Sequence, residues 1–249
     1  MIEFNRVTKK YSDRLAVDSI SFHIDDGIAF GYIGPNGAGK TTTAKMIVGL
    51  ETATSGEVRV FDGHSSFQPK EMKSQIGYVP ESPRLYESMT PVETVAMASL
   101  LRKFDKKEAA RRLETVSEIF SFKDYLKTPV QSLSKGTKQK VVISLALIFD
   151  PRILVLDEPT DGLDVQAVVS LKRLIKSFTQ HGGTVFYSSH LLDIVESVCD
   201  TVCFINTGKI VGEYSSGDFS SKRGFLEDVF MEHVDIQNDL VDTFFENRS

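Results

Sequence analysis

The chain has 249 residues and a formal net charge of −5, from 29 Lys and Arg against 34 Asp and Glu. With 41% hydrophobic and 25% charged residues, its composition is that of a globular protein and excludes disordered and collagen-like classes. The longest apolar run, residues 141–149, is too short for a membrane-spanning helix, and two cysteines are too few for a disulfide scaffold or a structural zinc site. We therefore expect a soluble protein of a reducing compartment, and its mild acidity argues against nucleic acid as the main partner.

Short strands and turns are predicted over the first part of the chain. Residues 2–7 and 20–24 alternate between apolar and polar side chains, which is typical of half-buried strands. Residues 29–33 form a continuous apolar run, which predicts a buried strand leading into a glycine-rich loop. Turn residues on both sides delimit another short strand over 57–61.

The pattern becomes helical from residue 82 to residue 149. Thr90, Pro91 and Glu93 stand in the order of a helix N-cap, a first-turn proline and a capping-box glutamate. Apolar residues at helical spacing then continue through 106–120. We therefore predict a helical insertion over about 82–150.

Strand patterns return after this insertion. Residues 153–156 and 184–187 are short apolar runs, and residues 168–178 between them are amphipathic at helical spacing. A strand, a helix and a strand of these lengths predict a right-handed crossover and a parallel sheet that is covered on both faces. The helical insertion therefore interrupts an α/β core, and residues 202–205 predict a further buried strand.

A phosphate-binding loop is predicted between the strand at 29–33 and a helix that starts at Lys40 and ends at Gly49. The pattern G-x-x-x-x-G-K-[ST] is matched by Gly34, Pro35, Asn36, Gly37, Ala38, Gly39, Lys40 and Thr41, and Thr42 follows it. The glycines let backbone N–H groups converge on a phosphate, and the helix adds the positive end of its dipole. We expect Lys40 to reach the β- and γ-phosphate oxygens and the Thr41 hydroxyl to bind Mg²⁺. A plain glycine-rich turn is the alternative.

An acidic motif supplies the second half of the predicted site. The strand at 153–156 runs into Asp157 and Glu158, and open α/β sheets bind their ligands at the carboxyl ends of strands. Asp157 is expected to hold Mg²⁺. Glu158 is the next residue, so its side chain is expected to point to the opposite side from that of Asp157. It is the candidate general base or positioner of the attacking water. Taken alone, the motif could also be an acidic turn after a strand.

The stretch from Leu133 to Gln139 resembles the LSGGQ signature of the nucleotide-binding subunits of ATP-binding cassette (ABC) transporters. It retains Ser134 and Gly136 and departs from the signature at Lys135 and Thr137. Ser134 predicts the N-cap of a helix from Lys135, whose N-terminus favours an anion. The resemblance implies that this end binds the γ-phosphate held by the phosphate-binding loop of a second subunit.

The resemblance covers nearly the whole chain and implies roles for four more residues. Tyr11 matches the aromatic residue that stacks on adenine, with a lone exposed tyrosine as the alternative. Glu81 stands in the Q-loop position, where glutamine is usual, and would approach Mg²⁺ or the attacking water. Asp164 belongs to a stretch like the D-loop, which crosses the dimer interface. His190 matches the switch histidine near the γ-phosphate, with a structural histidine as the alternative.

The implied fold is an α/β P-loop NTPase core with a mostly parallel sheet, an N-terminal antiparallel β subdomain and a helical insertion subdomain. An ABC ATPase domain would span residues 1–214. Residues 215–249 would form a short C-terminal helical extension, similar to that of the drug, lantibiotic and polysaccharide exporters.

The implied function is Mg²⁺-dependent ATP hydrolysis that powers transport, of the export type, through separate integral membrane subunits. Two ATPase subunits, identical or different, would close head-to-tail around two ATP molecules on the cytoplasmic face of the cell membrane. The alternatives are a soluble ABC-type ATPase that acts on ribosomes or DNA, and an importer ATPase. No nucleic acid partner is expected for the transporter subunit.

Overall fold

The computed structural model describes residues 1–61, 73–219 and 224–233. Its smaller sheet is antiparallel in the order β2-β1-β4, with β1 (Ile2–Tyr11), β2 (Arg14–Ile24) and β4 (Ser55–Val60). The antiparallel pattern predicted for the N-terminal region is therefore correct, but the first two strands are longer than predicted. Register shifts interrupt the pairing of β1 with β2 between Phe4 and Lys10. Such irregularities break the apolar–polar alternation on which the predicted bounds depended.

Among the described residues, the larger sheet has six strands in the order β5-β6-β7-β3-β8-β9. Its members are β3 (Ala29–Ile33), β5 (Ile76–Val79), β6 (Ile153–Asp157), β7 (Thr184–Ser189), β8 (Thr201–Asn206) and β9 (Lys209–Ser215). All neighbouring pairs are parallel except β8 and β9, which confirms the predicted mostly parallel sheet. Neither edge strand was predicted, because β5 has only four residues and β9 is largely half-exposed and contains a glycine.

The larger sheet separates an inner hydrophobic cluster, on the side of the antiparallel sheet, from an outer cluster on its opposite face. Alternate residues of β6 point to opposite clusters: Ile153 and Val155 face the antiparallel sheet, whereas Leu154 and Leu156 face the outer helices. Because both faces of the strand are buried, its sequence is an unbroken apolar run. This explains why a continuous apolar pattern identified the central strands correctly.

The α-helices whose bounds lie in the described part of the chain are α1 (Lys40–Ile47), α2 (Pro91–Arg102), α3 (Lys106–Ile119), α4 (Lys135–Leu147), α5 (Val165–Gln180), α6 (Leu192–Val198), α7 (Ser216–Phe219) and α8 (Phe225–His233). Two short 3-10 helices, Lys123–Tyr125 and Val130–Ser132, lie between α3 and α4. The predicted capping box of α2 is confirmed, because Glu93 N–H donates to Thr90 Oγ1 at 3.3 Å and Thr90 N–H donates to the Glu93 carboxylate at 2.8 Å. Helix α1 ends two residues before Gly49, and α6 was not predicted. Helix α4 contacts both α3 and β5, so it joins the helical region to the sheet.

The C-terminal region contributes to the core through α8. Leu226 and Val229 are buried in the outer cluster, and the Phe225 ring meets the Tyr214 ring edge-on at 5.4 Å between centroids. Residues 220–223 and 234–249, which complete the predicted extension, lie outside the described residues. Residues 62–63, the turn predicted to follow the strand over 57–61, lie outside them as well. Within the described ranges no helix has the length and apolar character needed to cross a lipid bilayer.

The topology brings four predicted segments to one edge of the sheet, because the carboxyl ends of parallel strands lie together. The phosphate-binding loop follows β3, and Glu81 follows β5. Strand β6 ends at Asp157, and His190 follows β7. Strand β7 lies between β6 and β3, so the histidine is placed between the acidic motif and the phosphate-binding loop.

Candidate active site

The phosphate-binding loop passes so close to neighbouring backbone that two positions require glycine. A Cβ atom on Gly34 would lie 2.1 Å from the Ile205 carbonyl oxygen, and one on Gly39 would lie 2.6 Å from the Ala16 carbonyl oxygen. Gly39 also has a φ of +115°, which L side chains rarely adopt. It is the N-cap of α1 and supplies no side-chain hydrogen bond. The first N–H groups of α1 are therefore available to an anion at the mouth of the loop.

The Lys40 side chain is buried inside the loop that it follows. Its Nζ donates hydrogen bonds to the carbonyl oxygens of Gly34 at 2.7 Å and Pro35 at 3.3 Å. It also lies 3.2 Å from Glu158 Oε1, and both side chains are at most one-tenth exposed. Because the pair is shielded from water, the attraction between the two charges is much stronger than at a protein surface.

Glu158 connects this lysine to the histidine after β7. Its Oε2 lies 2.9 Å from His190 Nδ1, and its backbone N–H donates to the Ser188 carbonyl oxygen at 3.1 Å. Glu158 has a φ of +48°, which is strained for a residue other than glycine. Lys40, Glu158 and His190 thus form one continuous chain of contacts, from the buried loop to the half-exposed imidazole.

Oxygen atoms suited to a divalent cation gather beside this chain. The Thr41 hydroxyl donates to Glu81 Oε2 at 3.1 Å. Asp157 is fully buried and accepts a hydrogen bond from the Ser188 hydroxyl on Oδ1, but its Oδ2 has no hydrogen-bond partner among the described residues. A buried carboxylate oxygen without a partner is costly unless a ligand satisfies it. A hydroxyl and two carboxylates are hard oxygen ligands, so these residues fit Mg²⁺.

Burial raises the pKa of the Asp157 carboxyl above its ordinary value, because desolvation disfavours the charged form. The hydrogen bond from Ser188 and the nearby Thr41 hydroxyl act in the opposite direction, and the charges of Glu81 and Glu158 add to the rise. The carboxylate is therefore held in a site that disfavours its charge until a cation neutralises it.

A cleft of about 330 Å³ opens in front of the loop. Among the predicted residues, its walls include Tyr11, Asn36, Gly37, Gly39, Lys40, Thr41, Thr42, Glu81 and Glu158. The Tyr11 ring is 39% exposed, and Lys9 Nζ lies 4.8 Å from its centroid. Gly34, Pro35 and Ala38 do not line the cleft; the first two accept hydrogen bonds from Lys40, and Ala38 is buried.

Sequence reasoning missed three residues of this region. Arg14 and Ala16 of β2 line the cleft, and Ser188 of β7 orients Asp157. The position of Arg14 opposite Tyr11 across the hairpin is the signal that would have identified it, had the strands been predicted at full length. Nothing in the local sequence marks Ser188, since its contact depends on the pairing of β7 with β6.

The predicted signature residues lie apart from the cleft and against the loop after β6. Ser134 is the N-cap of α4, and its Oγ accepts a hydrogen bond from the Thr137 N–H at 3.2 Å, as predicted. Lys135 Nζ lies 2.7 Å from Asp161 Oδ2 on the surface. A Cβ atom on Gly136 would lie 2.5 Å from the Gly162 carbonyl oxygen, so this glycine allows the close approach.

Asp164 is part of the same contact between α4 and the loop. Its Oδ1 accepts a hydrogen bond from the Ala167 N–H at 2.8 Å and caps α5, while its Oδ2 lies 2.7 Å from Lys140 Nζ. These contacts lower the pKa of the Asp164 carboxyl, mainly through the hydrogen bond with Lys140. Its contacts within the chain are those of a helix cap and an ion pair.

Comparison with known proteins agrees with this geometry. The sequence model of the family described as ABC transporter matches residues 17–161, more than half of the chain. An uncharacterised ABC transporter ATP-binding protein of Bacillus subtilis, YhaQ, is 37% identical over 215 residues, which cover 85% of this chain and 70% of that protein. The bacitracin transport ATP-binding protein BcrA of Bacillus licheniformis is 35% identical over 214 residues, which cover 86% and 69% of the two chains.

A solved structure supports the same relationship. The structure described as the ATP binding subunit of an ABC transporter superimposes with a TM-score of 0.84 at 29% sequence identity, and covers 93% of this chain and 98% of that one. The predicted P-loop NTPase core with its antiparallel β subdomain and helical region is therefore confirmed as the ABC ATPase cassette fold. This chain belongs to the ABC transporter family, as an ATP-binding subunit with an ATPase cassette.

Proposed function

We propose that this subunit hydrolyses Mg²⁺·ATP in the cleft beside Lys40 and powers export through separate membrane-spanning subunits. The observation that carries the proposal is the buried contact chain from Lys40 through Glu158 to His190, next to a helix N-terminus that no side chain caps. Export is supported by relatives whose names describe transport of bacitracin and export of Nod factor. The subunit would act on the cytoplasmic face of the cell membrane.

The cleft offers separate places for the two ends of ATP. The adenine ring would stack on the partly exposed Tyr11 ring at one end. The phosphates would accept hydrogen bonds from the backbone N–H groups of the loop and of the first turn of α1, up to Thr42. Arg14 adds a positive charge to the same wall. Lys40 would leave Glu158 and bind the β- and γ-phosphate oxygens, which exchanges one carboxylate partner for a stronger anion.

Mg²⁺ would be held by the Thr41 hydroxyl and the Asp157 carboxylate, with Glu81 close to it. When bound, the ion neutralises negative charge on the β- and γ-phosphates. Glu81 accepts a hydrogen bond from the Thr41 hydroxyl, so it would approach the metal or one of its waters. A glutamate at this position also brings an extra negative charge, which the cation would offset.

The assignment of Asp157 as a Mg²⁺ ligand can be tested by measuring the free energy of unfolding. The pKa of the Asp157 carboxyl is higher in the folded chain than in the unfolded chain. The carboxyl therefore contributes folding stability that is fully present below its ordinary pKa and is lost as the pH rises through the raised value. We therefore expect Asp157→Asn to increase the free energy of unfolding at pH 7.5 in EDTA, by about 1–2 kcal/mol, and to have less effect near pH 4. Urea unfolding at the two pH values measures the difference.

A matched control uses an aspartate whose pKa is shifted the other way. Asp164 has a lowered pKa, so Asp164→Asn should decrease stability at pH 7.5 instead of increasing it. Mg²⁺ with ATP should stabilise the parent protein and have much less effect on Asp157→Asn. Equal stabilisation of both proteins by the metal would show that Asp157 is not a metal ligand.

In the hydrolysis step, Glu158 would accept a proton from the attacking water. The water oxygen forms a bond to the γ-phosphorus while the bond to the β–γ bridging oxygen breaks, and ADP leaves with that oxygen. Lys40 stabilises the charge on the transferred group. The contact with His190 fixes the orientation of Glu158 and places an imidazole near the γ-phosphate.

The second nucleotide contact would come from α4 of another ATPase subunit, identical or different. Ser134, Lys135 and Gly136 stand at the N-terminus of α4 and do not line the cleft of their own chain. The N-terminal part of α4 is held against residues 159–164, which directly follow Glu158. Lys135 pairs with Asp161, and Gln139 Nε2 donates a hydrogen bond to the Pro159 carbonyl oxygen at 3.0 Å. Closure of two subunits head-to-tail would put each α4 against the ATP of the other.

The surface between Glu81 and residue 132 is our candidate for the contact with the membrane subunits. A groove there has apolar walls from Leu85 and Val130, and Arg84, Glu87 and Lys138 add charges. Tyr86 beside it is 63% exposed. An exposed aromatic side chain next to a groove of mixed charge is typical of a protein interface.

Purification from detergent-solubilised membranes of the host tests the proposal. A tagged chain should retain a polytopic membrane protein in a fixed ratio, and Arg84→Glu should release it while Arg173→Glu, on the outer helix α5, should not. Ribosomes or DNA in place of a membrane protein would instead favour the soluble ABC-type ATPase. Reconstituted transport in the direction of the cytoplasm would contradict export.

A further inference from the structure

On the neighbouring strands β5 and β6, two buried side-chain atoms lack hydrogen-bond partners among the described residues. One is Asp157 Oδ2, which the proposed metal site already uses. The other is the hydroxyl of Tyr78, on edge strand β5, which no part of the proposed mechanism uses. A buried hydroxyl without a partner costs free energy that a phenylalanine at the same place would avoid.

The strand register places these two atoms on the same face of the sheet. Tyr78 is paired with Val155 of β6, and Asp157 follows Val155 by two residues and so points to the same side. A long aromatic side chain reaches a diagonal neighbour of this kind. The pKa of Tyr78 is raised, first by burial and then by the charges of Asp157 and Glu81, so the phenol lies within electrostatic range of both carboxylates.

The ring and the hydroxyl of Tyr78 have different surroundings. The ring packs against the inner hydrophobic cluster, beside α1 and the antiparallel sheet, as phenylalanine would. Only the hydroxyl distinguishes tyrosine from phenylalanine here, and it lies near Asp157 and Glu81, the carboxylates assigned to Mg²⁺. Protein-bound Mg²⁺ keeps several of its waters, and hydrogen bonds around the first ligands strengthen metal binding.

We propose that the Tyr78 hydroxyl forms a hydrogen bond with a water molecule bound to Mg²⁺, and is thereby a positioning residue for the metal. The inference rests on the proposed metal site at Thr41, Asp157 and Glu81. Tyr78 touches neither the reacting phosphate nor the protein ligands by a hydrogen bond of its own. Its contribution is to the affinity for the cation and not to the affinity for the nucleotide.

The test is metal binding by Tyr78→Phe in a Glu158→Gln background, which prevents turnover. Mn²⁺ is titrated into the ATP-bound protein and free Mn²⁺ is followed by electron paramagnetic resonance, with Mg²⁺ as competitor. We expect the affinity for either cation to fall by about tenfold, as is common for lost outer hydrogen bonds. The affinity for ATP in EDTA should stay within about twofold, because the metal takes no part in it.

Tyr187→Phe in the same background is the matched control. Tyr187 is also a buried tyrosine whose hydroxyl has no hydrogen-bond partner in the described part of the chain, but it belongs to the outer cluster. Both variants should unfold in EDTA at the same temperature as the parent or higher, since each loses a buried unpaired hydroxyl. This comparison separates loss of the fold from loss of the metal.

The inference is overturned if Tyr78→Phe binds Mn²⁺ and Mg²⁺ as tightly as the parent. It is equally overturned if Tyr187→Phe loses the same affinity, or if Tyr78→Phe loses ATP affinity in EDTA to the same extent. A parent protein that binds neither cation together with ATP would contradict the proposed metal site itself, which is a different result from an unchanged Tyr78→Phe.

Discussion

Glu158→Gln is expected to reduce ATP hydrolysis by about 10²–10⁴-fold, the usual contribution of a general base, while ATP binding is retained or strengthened. The amide cannot accept the proton of the attacking water. It also removes the negative charge that lies 3.2 Å from Lys40 Nζ, so the lysine no longer has to be separated from a carboxylate when ATP binds. Phosphate release and equilibrium binding of a fluorescent ATP analogue measure the two effects separately.

Glu196→Gln on α6 is the control for this variant, because Glu196 is outside the nucleotide cleft. It should hydrolyse ATP at the parent rate. Hydrolysis by Glu158→Gln within a few-fold of the parent, with ATP bound, would show that another group accepts the proton. Loss of ATP binding together with hydrolysis would contradict the role of Glu158 as the partner that Lys40 leaves.

Lys40→Ala is expected to weaken ATP binding by at least about 100-fold and to abolish hydrolysis. The change removes the charge that would bind the β- and γ-phosphates, and charged hydrogen bonds of this kind contribute about 1.5–3 kcal/mol each. It also leaves Glu158 buried without its cation, which costs about 3–5 kcal/mol of folding stability when one partner of a buried pair is removed. Calorimetric titration with ATP and urea unfolding measure the two losses.

The double variant Lys40→Ala with Glu158→Gln separates binding from folding. Removing both charges should recover most of the folding stability, because the side chain at position 158 then carries no charge that needs Lys40 as its partner. ATP binding should stay weak, since the lysine that would bind the phosphates is still missing. Recovery of tight ATP binding in the double variant would mean that Lys40 acts only by neutralising Glu158.

The parts of the site that lie within single loops could be predicted from the sequence. The phosphate-binding loop is one uninterrupted stretch, and Gly39 within it has a φ of +115°, a local conformation that favours glycine. Asp157 and Glu158 could be placed at a strand end, because an apolar run on both faces marks a central parallel strand. The N-cap role of Ser134 likewise depends only on neighbouring residues.

Contacts between distant segments could not be predicted in the same way. The ion pair of Lys40 with Glu158 requires the actual order of β6, β7 and β3, and the hydrogen bond from Ser188 to Asp157 requires the pairing of two strands. The irregular pairing in the first hairpin hid the position of Arg14. The ion pair of Asp164 with Lys140 depends on how α4 packs against the loop after β6, whereas the hydrogen bond of Asp164 with Ala167 is local to the start of α5.

The number of ATPase subunits that close around ATP tests the central claim most directly. Light scattering on the Glu158→Gln protein with ATP and Mg²⁺ measures this number, both for the purified chain and for its detergent-solubilised complex with the membrane protein. We predict two ATPase subunits in the closed assembly and, for the purified chain, one when Lys40→Ala is added. A single ATPase subunit with ATP bound, at every concentration and in the complex, would contradict the account in which α4 of a second subunit completes the site.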